Sequence, residues 1–389
     1  MRTRPCWVEI SARSFEENYR FLMSLAAPGV ELLAMVKADA YGHSLALCAA
    51  AAVRAGARWL GVTSVEEGVA ARAVCPEARV LVMSGVFPGQ GAAVVDHGLT
   101  AVVWEPWQLE ELEGAARAAG AGPAAVHLEI DTGMSRQGVG TDELAAVLAR
   151  FGEGSALRLE GVMTHLFAAD EADGRVTEGQ LARLDEALGR IEAGGLGPEW
   201  LNVGNSAALL AGQAARIGAL AKRWGLKAML RPGLALYGVA PEFKPEEPEA
   251  VVAARARLQP VLSWKTRVVG VRSVPSGAVV GYNGTFVASE PMRLALLAVG
   301  YADGLDRRLG NRFSLLVRGE RAPLVGRISM DQAVLDVTEI DGVEAGDEVV
   351  ILGTQGGETI TAFDHAEAAG TIPWEVFTRI GTRVRRVLV

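Results

Sequence analysis

The chain has 389 residues, which is enough for two or three domains and for a core that needs no disulfide staples. Its 38 basic and 46 acidic side chains give a net charge of -8, which opposes binding to nucleic acid or to an anionic membrane surface. Hydrophobic residues make up 50% and charged residues 22%, proportions that are typical of a folded protein and exclude a largely disordered one.

The termini and the cysteines indicate the compartment. Residues 1–10 contain charged side chains and no apolar stretch behind them, so they do not predict a secretory signal. No apolar run approaches the ~18 residues of a membrane span. Cys6, Cys48 and Cys75 are an odd number without metal-ligand spacing. We therefore expect a cytoplasmic protein with reduced thiols and no bound metal.

Short β-type runs alternate with longer helix-period segments from about residue 30 to residue 240. Helices are predicted over 44–55, 106–119 and 177–193. Such strand-helix units predict an α/β fold with a closed, TIM-like (β/α)₈ barrel over 11–240, and an open doubly wound sheet is the alternative. The eight candidate strands are 31–36, 58–62, 79–83, 99–103, 124–130, 157–163, 199–203 and 227–230.

The composition changes after the barrel. Prolines and glutamates in residues 241–250 predict an exposed, extended connector. The β-type runs beyond it lack regular intervening helices, which predicts a second, mostly antiparallel β domain over 241–389 with a short helix near 362–369.

Lys37 is the first candidate for chemistry. The chain has five lysines against 33 arginines, and Lys37 is the only lysine among the first 221 residues. It follows an apolar run directly, at the C-terminal end of the first barrel strand, where barrel enzymes place their catalytic groups. A buried lysine has a lowered pKa and forms a Schiff base with an aldehyde cofactor, of which pyridoxal phosphate is the obvious example. A solvated lysine at a strand end is the alternative interpretation.

A pyridoxal phosphate site needs a phosphate site, which barrels commonly build from the loops after strands 7 and 8. Asn205 and Ser206 follow the seventh candidate strand in a helix-capping pattern. Arg231 and Gly233 follow the eighth, and glycine permits close backbone approach. An ordinary helix cap and an ordinary turn are the alternatives, and the joint placement of the two loops favours a ligand.

Further polar and aromatic side chains follow other strands. Arg136 comes after the fifth strand and is suited to clamp a carboxylate. His165 ends the sixth strand at the same rim. Tyr41, Tyr282 and Tyr301 each lie next to a glycine, which leaves space for a ligand, although turns of a β domain have the same composition.

These residues resemble the alanine racemases that depend on pyridoxal phosphate, over nearly the whole chain. The lysine segment alone is fairly specific, and the full set in this order is a strong match. The matching stretches are Val36-Lys37-Ala38-Asp39-Ala40-Tyr41-Gly42-His43, Asp131-Thr132-Gly133-Met134-Ser135-Arg136, Thr164-His165, Asn205-Ser206-Ala207, Arg231-Pro232-Gly233, Tyr237-Gly238, Gly281-Tyr282, Gly300-Tyr301-Ala302-Asp303-Gly304 and Gly326-Arg327-Ile328-Ser329-Met330-Asp331.

The resemblance implies an isomerase that interconverts L- and D-alanine and supplies D-alanine. It implies a homodimer whose active sites combine Lys37 of one subunit with Tyr282 of the other, as acid/base groups on opposite faces of the substrate. Residues 1–10 are expected to pair with the β domain. The resemblance also implies that Arg231 faces the pyridine nitrogen of the cofactor and keeps it unprotonated.

The remaining site residues are likewise implied by the resemblance. The cofactor is expected to contact Tyr41, Arg136, His165, Asn205, Ser206, Arg231, Gly233, Leu234 and Trp374, in addition to Lys37. The substrate is expected to contact Arg136, the backbone N–H of Met330, and Tyr301, which lines the entry passage.

Three positions depart from the family pattern. Glu129 replaces a lysine that is usually carbamylated, and we hypothesise that it supplies the needed carboxylate directly. Asn202 replaces a histidine that touches the pyridine-facing arginine. Trp374 replaces a tyrosine that contacts the phosphate, and indole is larger and donates one hydrogen bond, which bears on the size of the substrate pocket.

Other functions remain open at this stage. A serine racemase or one of broader specificity is the nearest alternative, since a pocket distinguishes one hydroxyl by only about a hundredfold. A noncatalytic pyridoxal phosphate carrier shares the barrel alone, so the second domain with Tyr282 argues against it. A barrel decarboxylase places an acid at the position of Arg231.

Overall fold

The structure, a computed structural model, describes residues 4–120 and 122–389. The chain divides into two compact units. The barrel unit comprises residues 13–40 and 45–259, and the β unit comprises residues 41–44 and 260–389 together with the N-terminal residues up to 12. Residues 1–3, the start of the segment expected to pair with the β domain, lie outside the described residues.

The strands in the described residues follow the predicted order. They are β1 (Cys6–Ile10), β2 (Val30–Met35), β3 (Trp59–Val62), β4 (Arg79–Val82), β5 (Thr100–Val103), β6 (Ala124–Glu129), β7 (Leu157–Met163), β8 (Trp200–Asn202), β9 (Lys227–Leu230), β10 (Leu262–Val274), β11 (Val279–Val280), β12 (Phe286–Val287), β13 (Met292–Leu297), β14 (Ser314–Val317), β15 (Glu320–Pro323), β16 (Ala333–Asp336), β17 (Glu348–Gln355), β18 (Glu358–Ile360) and β19 (Arg385–Leu388).

None of the helices in the described part of the chain is long and apolar enough to cross a bilayer. The helices are α1 (Ala12–Leu25), α2 (Lys37–Tyr41), α3 (Leu45–Arg54), α4 (Val65–Val74), α5 (Gly91–Asp96), α6 (Pro106–Ala119), α7 (Leu144–Leu148), α8 (Arg175–Ala193), α9 (Ser206–Leu210), α10 (Ala214–Arg223), α11 (Glu249–Arg255), α12 (Ala362–Ala369) and α13 (Pro373–Thr378). Short 3₁₀ turns occupy Leu234–Tyr237, Tyr282–Gly284, Tyr301–Asp303 and Arg307–Leu309.

Strands β2 to β9 form a closed parallel barrel. The closing pair joins β9 to β2, with Val30 opposite Ala228 and Leu32 opposite Leu230. Because parallel strands are covered on both faces, they are nearly continuous runs of apolar residues, as in the fully buried β3 and β5. The predicted (β/α)₈ barrel is confirmed, and the open doubly wound sheet is excluded.

The β unit is built on one mostly antiparallel sheet with the strand order β15-β14-β17-β10-β1-β19. Strand β1 pairs antiparallel with β10 and parallel with β19, so that Trp7 lies between Lys265 and Arg385. The 13-residue strand β10 also pairs with β13, which extends the sheet in a second direction. The helix predicted near 362–369 is α12, whose N-cap Thr361 and residue Asp364 form a capping box.

Residues 241–250 are mostly exposed, as expected of a connector, but two of their side chains are buried. Pro241 and Phe243 are buried in the barrel unit, and the carbonyl of Lys244 accepts a hydrogen bond from the N–H of Ala172 at 2.9 Å. Helix α11 begins at Glu249. The prediction of an exposed connector holds for most of the segment, and the exception is Phe243, whose large apolar side chain is stabilised by burial.

Candidate functional site

Lys37 follows β2 at the C-terminal end of the barrel, and the backbone after it turns left-handed. Ala38, Asp39, Ala40 and Tyr41 have φ angles between 50° and 54°. For L-residues this conformation costs roughly 1–2 kcal/mol per residue, so it persists only where its surroundings hold it. The N–H of Ala40 donates to the carbonyl of Val36 at 2.8 Å, which fixes the turn directly beside the lysine.

The surroundings of Lys37 favour its neutral amine. Burial lowers its pKa, and the positive charges of Arg136 and Arg231 lower it further, whereas Glu67 acts in the opposite direction. A lowered pKa increases the fraction of unprotonated lysine near neutral pH, and the unprotonated form is the nucleophile that attacks an aldehyde carbonyl. The site therefore provides a reactive amine at a barrel end.

Arg231 is buried after β9 and is fixed by several acceptors. Its Nη1 donates to the carbonyl and to Oδ1 of Asn202 at 2.8 and 2.7 Å, and its Nη2 donates to the carbonyl of Thr164 at 3.0 Å. Burial lowers the pKa of Arg231 to about 10. Asn202, at the position where the family usually has a histidine, thus supplies two acceptors that hold the guanidinium.

His165 lies beside this guanidinium, with its Nδ1 3.3 Å from Nη2 of Arg231. Burial, together with the charges of Arg231, Arg136 and Lys37, lowers the pKa of His165 to about 3. The imidazole is therefore neutral near pH 7, and an unprotonated Nδ1 accepts a hydrogen bond from the arginine.

Ser206 gathers backbone donors from the loop after β9. Its Oγ accepts the N–H groups of Gly233 and Ala235 at 2.9 and 3.2 Å, and all three residues are buried along with Leu234. A hydroxyl beside converging N–H groups is the arrangement that binds a phosphate oxygen. The two loops predicted to form a phosphate site are therefore in contact.

Asn205 shapes the first of these loops. Its Oδ1 accepts the N–H of Ala208 at 3.1 Å, which caps α9, and its Nδ2 donates to the carbonyl of Leu166 at 3.3 Å. Both polar atoms of the side chain thus have protein partners, and the side chain orients Ser206 as the first residue of the helix.

The loop that carries Arg136 is organised by Asp131. The Asp131 carboxylate accepts the N–H groups of Gly133, Met134 and Ser135 at 2.8 to 3.2 Å. This turn presents Arg136 with an exposed side chain, and no ion pair within 4.0 Å joins that side chain to an acidic residue of the described segments. Its charge is therefore available to an anion.

Glu129 ends strand β6 as a buried carboxyl group. Its Oε2 accepts a hydrogen bond from Nε2 of Gln137 at 2.5 Å. Burial raises the pKa of Glu129 to about 7, against the hydrogen bond from Gln137 and the charges of Arg231 and Arg136. The positive charge of Arg136 acts on the Glu129 carboxyl group, which is consistent with the hypothesis that Glu129 steadies Arg136. The hydrogen bond that the Glu129 side chain makes in the described structure is with Gln137.

The β unit contains the other predicted site residues. Tyr41 is buried, which raises its pKa. Tyr282 lies in the 3₁₀ turn between β11 and β12 and is 68% exposed, and Tyr301 and Met330 are exposed as well. Trp374 is half-buried in the first turn of α13.

Glu67 and Gln137 belong to this site and were missed by the sequence analysis. Gln137 lies eight residues from the Glu129 that it binds, at a spacing that no periodic pattern singles out. Glu67 accepts hydrogen bonds from the N–H groups of Asp39 and Thr63. The pattern Ser64-Val65-Glu66-Glu67 is a helix-capping signature, and it could have predicted that Glu67 lies in the first turn of a helix. It could not have predicted the hydrogen bond between Glu67 and Asp39.

Comparison with known proteins identifies the family of this chain. Residues 10–241 match the family model described as "Alanine racemase, N-terminal domain", and residues 261–388 match "Alanine racemase, C-terminal domain". Alanine racemase of Symbiobacterium thermophilum is 39% identical over 98% of this chain and 97% of its own length. That of Syntrophobacter fumaroxidans is 38% identical over 96% of this chain and 95% of its own.

Solved structures are similar over the full length. Alanine racemase of Streptomyces coelicolor A3(2) matches with a TM-score of 0.89 and 37% identity over 99% of this chain and 98% of that one. The enzyme of Bartonella henselae, which has covalently bound pyridoxal phosphate, matches with a TM-score of 0.81 and 27% identity over 99% of both chains. The resemblance found in the sequence is confirmed, and this chain belongs to the alanine racemase family.

Proposed function

We propose that this chain is a pyridoxal phosphate-dependent alanine racemase that interconverts L- and D-alanine. Its family membership supports the reaction class and an amino-acid substrate. The observation that carries the proposal is the half-buried Lys37, whose pKa is lowered by desolvation and by Arg136 and Arg231 at the C-terminal end of a closed barrel. This is the position and the electrostatic setting that Schiff-base chemistry requires.

The donor set around Lys37 fits pyridoxal phosphate. Lys37 provides an amine for the aldehyde, and Arg136 and Arg231 provide positive charge for an anionic ring and its phosphate. The hydroxyl of Ser206, whose oxygen accepts the N–H of Gly233, provides an O–H donor for a phosphate oxygen. Because the charges of Lys37, Arg136 and Arg231 repel one another, an anionic group bound among them would relieve that repulsion.

We assign the remaining binding residues by analogy with the family. The phosphate binders are Tyr41, Ser206, Gly233, Leu234 and Trp374, with Asn205 orienting their loop. His165 and Arg231 face the ring, and Arg136, Met330 and Tyr301 face the substrate.

The bound cofactor withdraws electrons from the substrate Cα and so acidifies its hydrogen. Lys37 then removes or returns that proton at its Nζ on one face of Cα. Arg231 donates N–H bonds and does not give up a proton, so it keeps the ring nitrogen that it faces unprotonated. Arg231 would thereby favour return of the proton to Cα over transamination.

Inversion needs a second acid/base group on the opposite face of Cα. We propose that Tyr282 of a second copy of the chain is this group, and that the enzyme is a homodimer. Support comes from the 68% exposure of Tyr282 on a short hairpin turn, which leaves its hydroxyl accessible to another molecule.

Hybrid dimers test this sharing of residues. Lys37→Ala and Tyr282→Phe are each expected to be inactive alone. After the two variants are mixed and allowed to exchange subunits, half of the dimers are hybrids with one intact site, so about a quarter of the wild-type activity should return. No recovery, despite subunit exchange shown by native mass spectrometry, would contradict the shared site.

Proton exchange at Cα tests the reaction itself. The holoenzyme incubated with L-alanine in D₂O should form D-alanine with deuterium at Cα, measured by chiral chromatography and mass spectrometry. A noncatalytic carrier would give no deuterium, and a decarboxylase would give ethylamine. Turnover of L-serine at a kcat/KM within about tenfold of that for L-alanine would favour the broader-specificity racemase, for which Trp374 is the residue to examine.

We also propose that the enzyme works in the cytoplasm. The thiols of Cys6, Cys48 and Cys75 are buried and form no disulfide with one another, and burial raises the pKa of each, as suits a reducing compartment. Fractionation of the source cells should place racemase activity in the cytosolic fraction, and activity in the extracellular fraction of intact cells would contradict this.

A further inference from the structure

Glu67 links two turns of the barrel unit through the two oxygens of its carboxylate. Its Oε2 accepts the N–H of Thr63 at 2.8 Å, and its Oε1 accepts the N–H of Asp39 at 3.2 Å. Ser64 caps helix α4 by accepting the N–H of Glu67, which places the side chain in the first turn of that helix. One carboxylate thus ties the start of α4 to the turn that follows Lys37.

The turn after Lys37 has an unfavourable backbone conformation that neighbouring groups must stabilise. Ala38, Asp39 and Ala40 adopt left-handed φ angles although none of them is glycine. Asp39 is fixed on both sides, because its own Oδ1 accepts the N–H of Leu45 at 2.7 Å while its N–H binds Glu67. The two carboxylates therefore hold a conformation that its residues would not adopt alone, and this conformation determines where the Lys37 side chain begins.

Glu67 also opposes the positive field at the amine. Arg136 and Arg231 disfavour the charged form of Lys37, and Glu67 favours it. The negative charge of Glu67 belongs to helix α4, whereas Arg136 and Arg231 follow strands β6 and β9. His165 faces the same cluster in its neutral form and adds no charge. The protonation of the lysine thus reflects a balance between two arginines and one glutamate.

We propose that Glu67 is a positioning residue for Lys37: its carboxylate holds the left-handed turn that fixes the lysine backbone, and its charge offsets part of the repulsion from Arg136 and Arg231. The inference deepens the proposed function, because it rests on Lys37 as the reactive amine. Glu67 acts through the backbone N–H of Asp39 and through its charge, without touching the substrate.

Titration of Lys37 in the cofactor-free full-length chain tests the charge. Reductive methylation with ¹³C-formaldehyde labels only five lysines and the N-terminus, so the NMR signal of Lys37, assigned with Lys37→Arg, can be followed with pH. Glu67→Gln keeps the shape of the side chain and one acceptor oxygen but removes the charge. We expect it to lower the pKa of Lys37 by about half a unit to one unit and to leave the other lysines unchanged.

Hydrogen exchange tests the hold on the turn. Glu67→Ala removes both acceptors, so deuterium uptake in a peptide spanning residues 37–45 should become at least about tenfold faster by mass spectrometry. Glu67→Gln should give an uptake between those of the wild type and Glu67→Ala, since its amide keeps one acceptor oxygen for the two N–H groups. If Glu67→Ala does not fold, Glu67→Asp serves instead, because its shorter side chain cannot reach both N–H groups.

Glu66→Gln is the matched control. Glu66 lies in the same helical turn, and its Oε1 binds Nε2 of Gln90, away from the lysine. Glu66→Gln should leave unchanged both the pKa of Lys37 and the hydrogen exchange of residues 37–45. An unchanged pKa of Lys37 in Glu67→Gln, or unchanged exchange in Glu67→Ala or its substitute, would overturn the proposal. Neither measurement involves substrate or cofactor, so failure of the proposed racemase activity would be seen separately.

Discussion

Ionisable groups are buried towards both ends of the barrel, and the two sets differ in how their charges are balanced. Towards the N-terminal ends of the strands, Glu160 lies 2.5 Å from nitrogens of both Arg79 and Arg158, and 3.7 Å from Nε2 of His127. Burial alone would raise the pKa of Glu160, but these contacts outweigh it and lower the pKa to about 2. The carboxylate is thus compensated by its partners.

At the C-terminal ends the balance is reversed. Lys37, His165 and Arg231 all have lowered pKa values, and that of Glu129 is raised to about 7. Burial disfavours the charged form of each group, and repulsion from neighbouring positive charges adds to this effect for Lys37, His165 and Arg231. At the N-terminal ends of the strands, the buried charges therefore pair and stabilise the fold. At the C-terminal ends they remain uncompensated, so that a ligand or a reacting group can interact with them.

We expect the largest effect on activity from substitution of Lys37, compared with Lys227 at the opposite end of the barrel. Lys37→Ala should lower kcat/KM for L-alanine by about 10⁴-fold or more, because under the proposed function it removes both the point of cofactor attachment and one acid/base group. Lys227→Ala is the control, since Lys227 forms an exposed ion pair with Glu199 at 2.9 Å, and its activity should stay within about twofold. Comparable losses in the two variants would contradict the division of roles.

Glu160→Gln should act on stability and not on catalysis. We expect the free energy of unfolding, measured with urea at pH 7, to fall by about 1–3 kcal/mol, a range reduced from that of a fully buried pair because Arg79 and Arg158 are partly exposed. kcat should change little. Glu199→Gln, in the exposed pair with Lys227, should change stability by about 0.5 kcal/mol or less.

The pH dependence of this effect has a defined sign. Since the pKa of Glu160 is lowered from 4.5 to about 2 in the folded state, its stabilisation is present above pH 4.5 and is lost as the pH falls towards 2. Glu160→Gln should therefore flatten the loss of stability in this range. If the free energy of unfolding of Glu160→Gln fell with decreasing pH as steeply as that of the wild type, the ion pairs of Glu160 would not stabilise the fold.

Glu129→Gln should show the opposite sign at the other end. Because the pKa of Glu129 is raised to about 7, the wild type should lose stability as the pH rises from 4.5 to 7, by about 1–3 kcal/mol. Glu129→Gln should lack this loss, while Glu143→Gln, at an exposed position, should retain it. Differential denaturation curves at pH 5 and pH 8 measure the difference.

The same variant tests the link from Glu129 to Arg136. If Glu129 helps to place Arg136, Glu129→Gln should weaken cofactor binding or raise KM for alanine by about 3- to 10-fold. Unchanged cofactor affinity and unchanged activity would show that Glu129 does not substitute for the carbamylated lysine of the family pattern.

Much of the barrel could be predicted because it depends on local periodicity. Helix α6 occupies the predicted residues, since Pro106 at its start and Gly120 in a left-handed C-cap mark both ends in the sequence. Lys37 could be placed at the barrel rim because it directly follows an apolar strand. The lysine could be singled out because lysines are scarce in this chain and because it follows that strand directly.

The supporting residues could not be predicted, because their partners are distant in sequence. Glu67 binds Asp39 across 28 residues, and Glu160 contacts Arg79 from another strand. A left-handed turn made of alanine and aspartate has no local signal, since such φ angles are expected at glycine. His127 fits into the barrel only because Gly161 has no Cβ, which would lie 2.6 Å from the ring.

Borohydride trapping tests the central claim, that the uncompensated end of the barrel supplies the reactive amine. The holoenzyme is reduced, digested and mapped by mass spectrometry for a pyridoxyl group on any of its five lysines. We expect stoichiometric modification of Lys37 and none of Lys222, Lys227, Lys244 or Lys265. An unmodified Lys37, or equal modification of Lys227 at the opposite end, would contradict it.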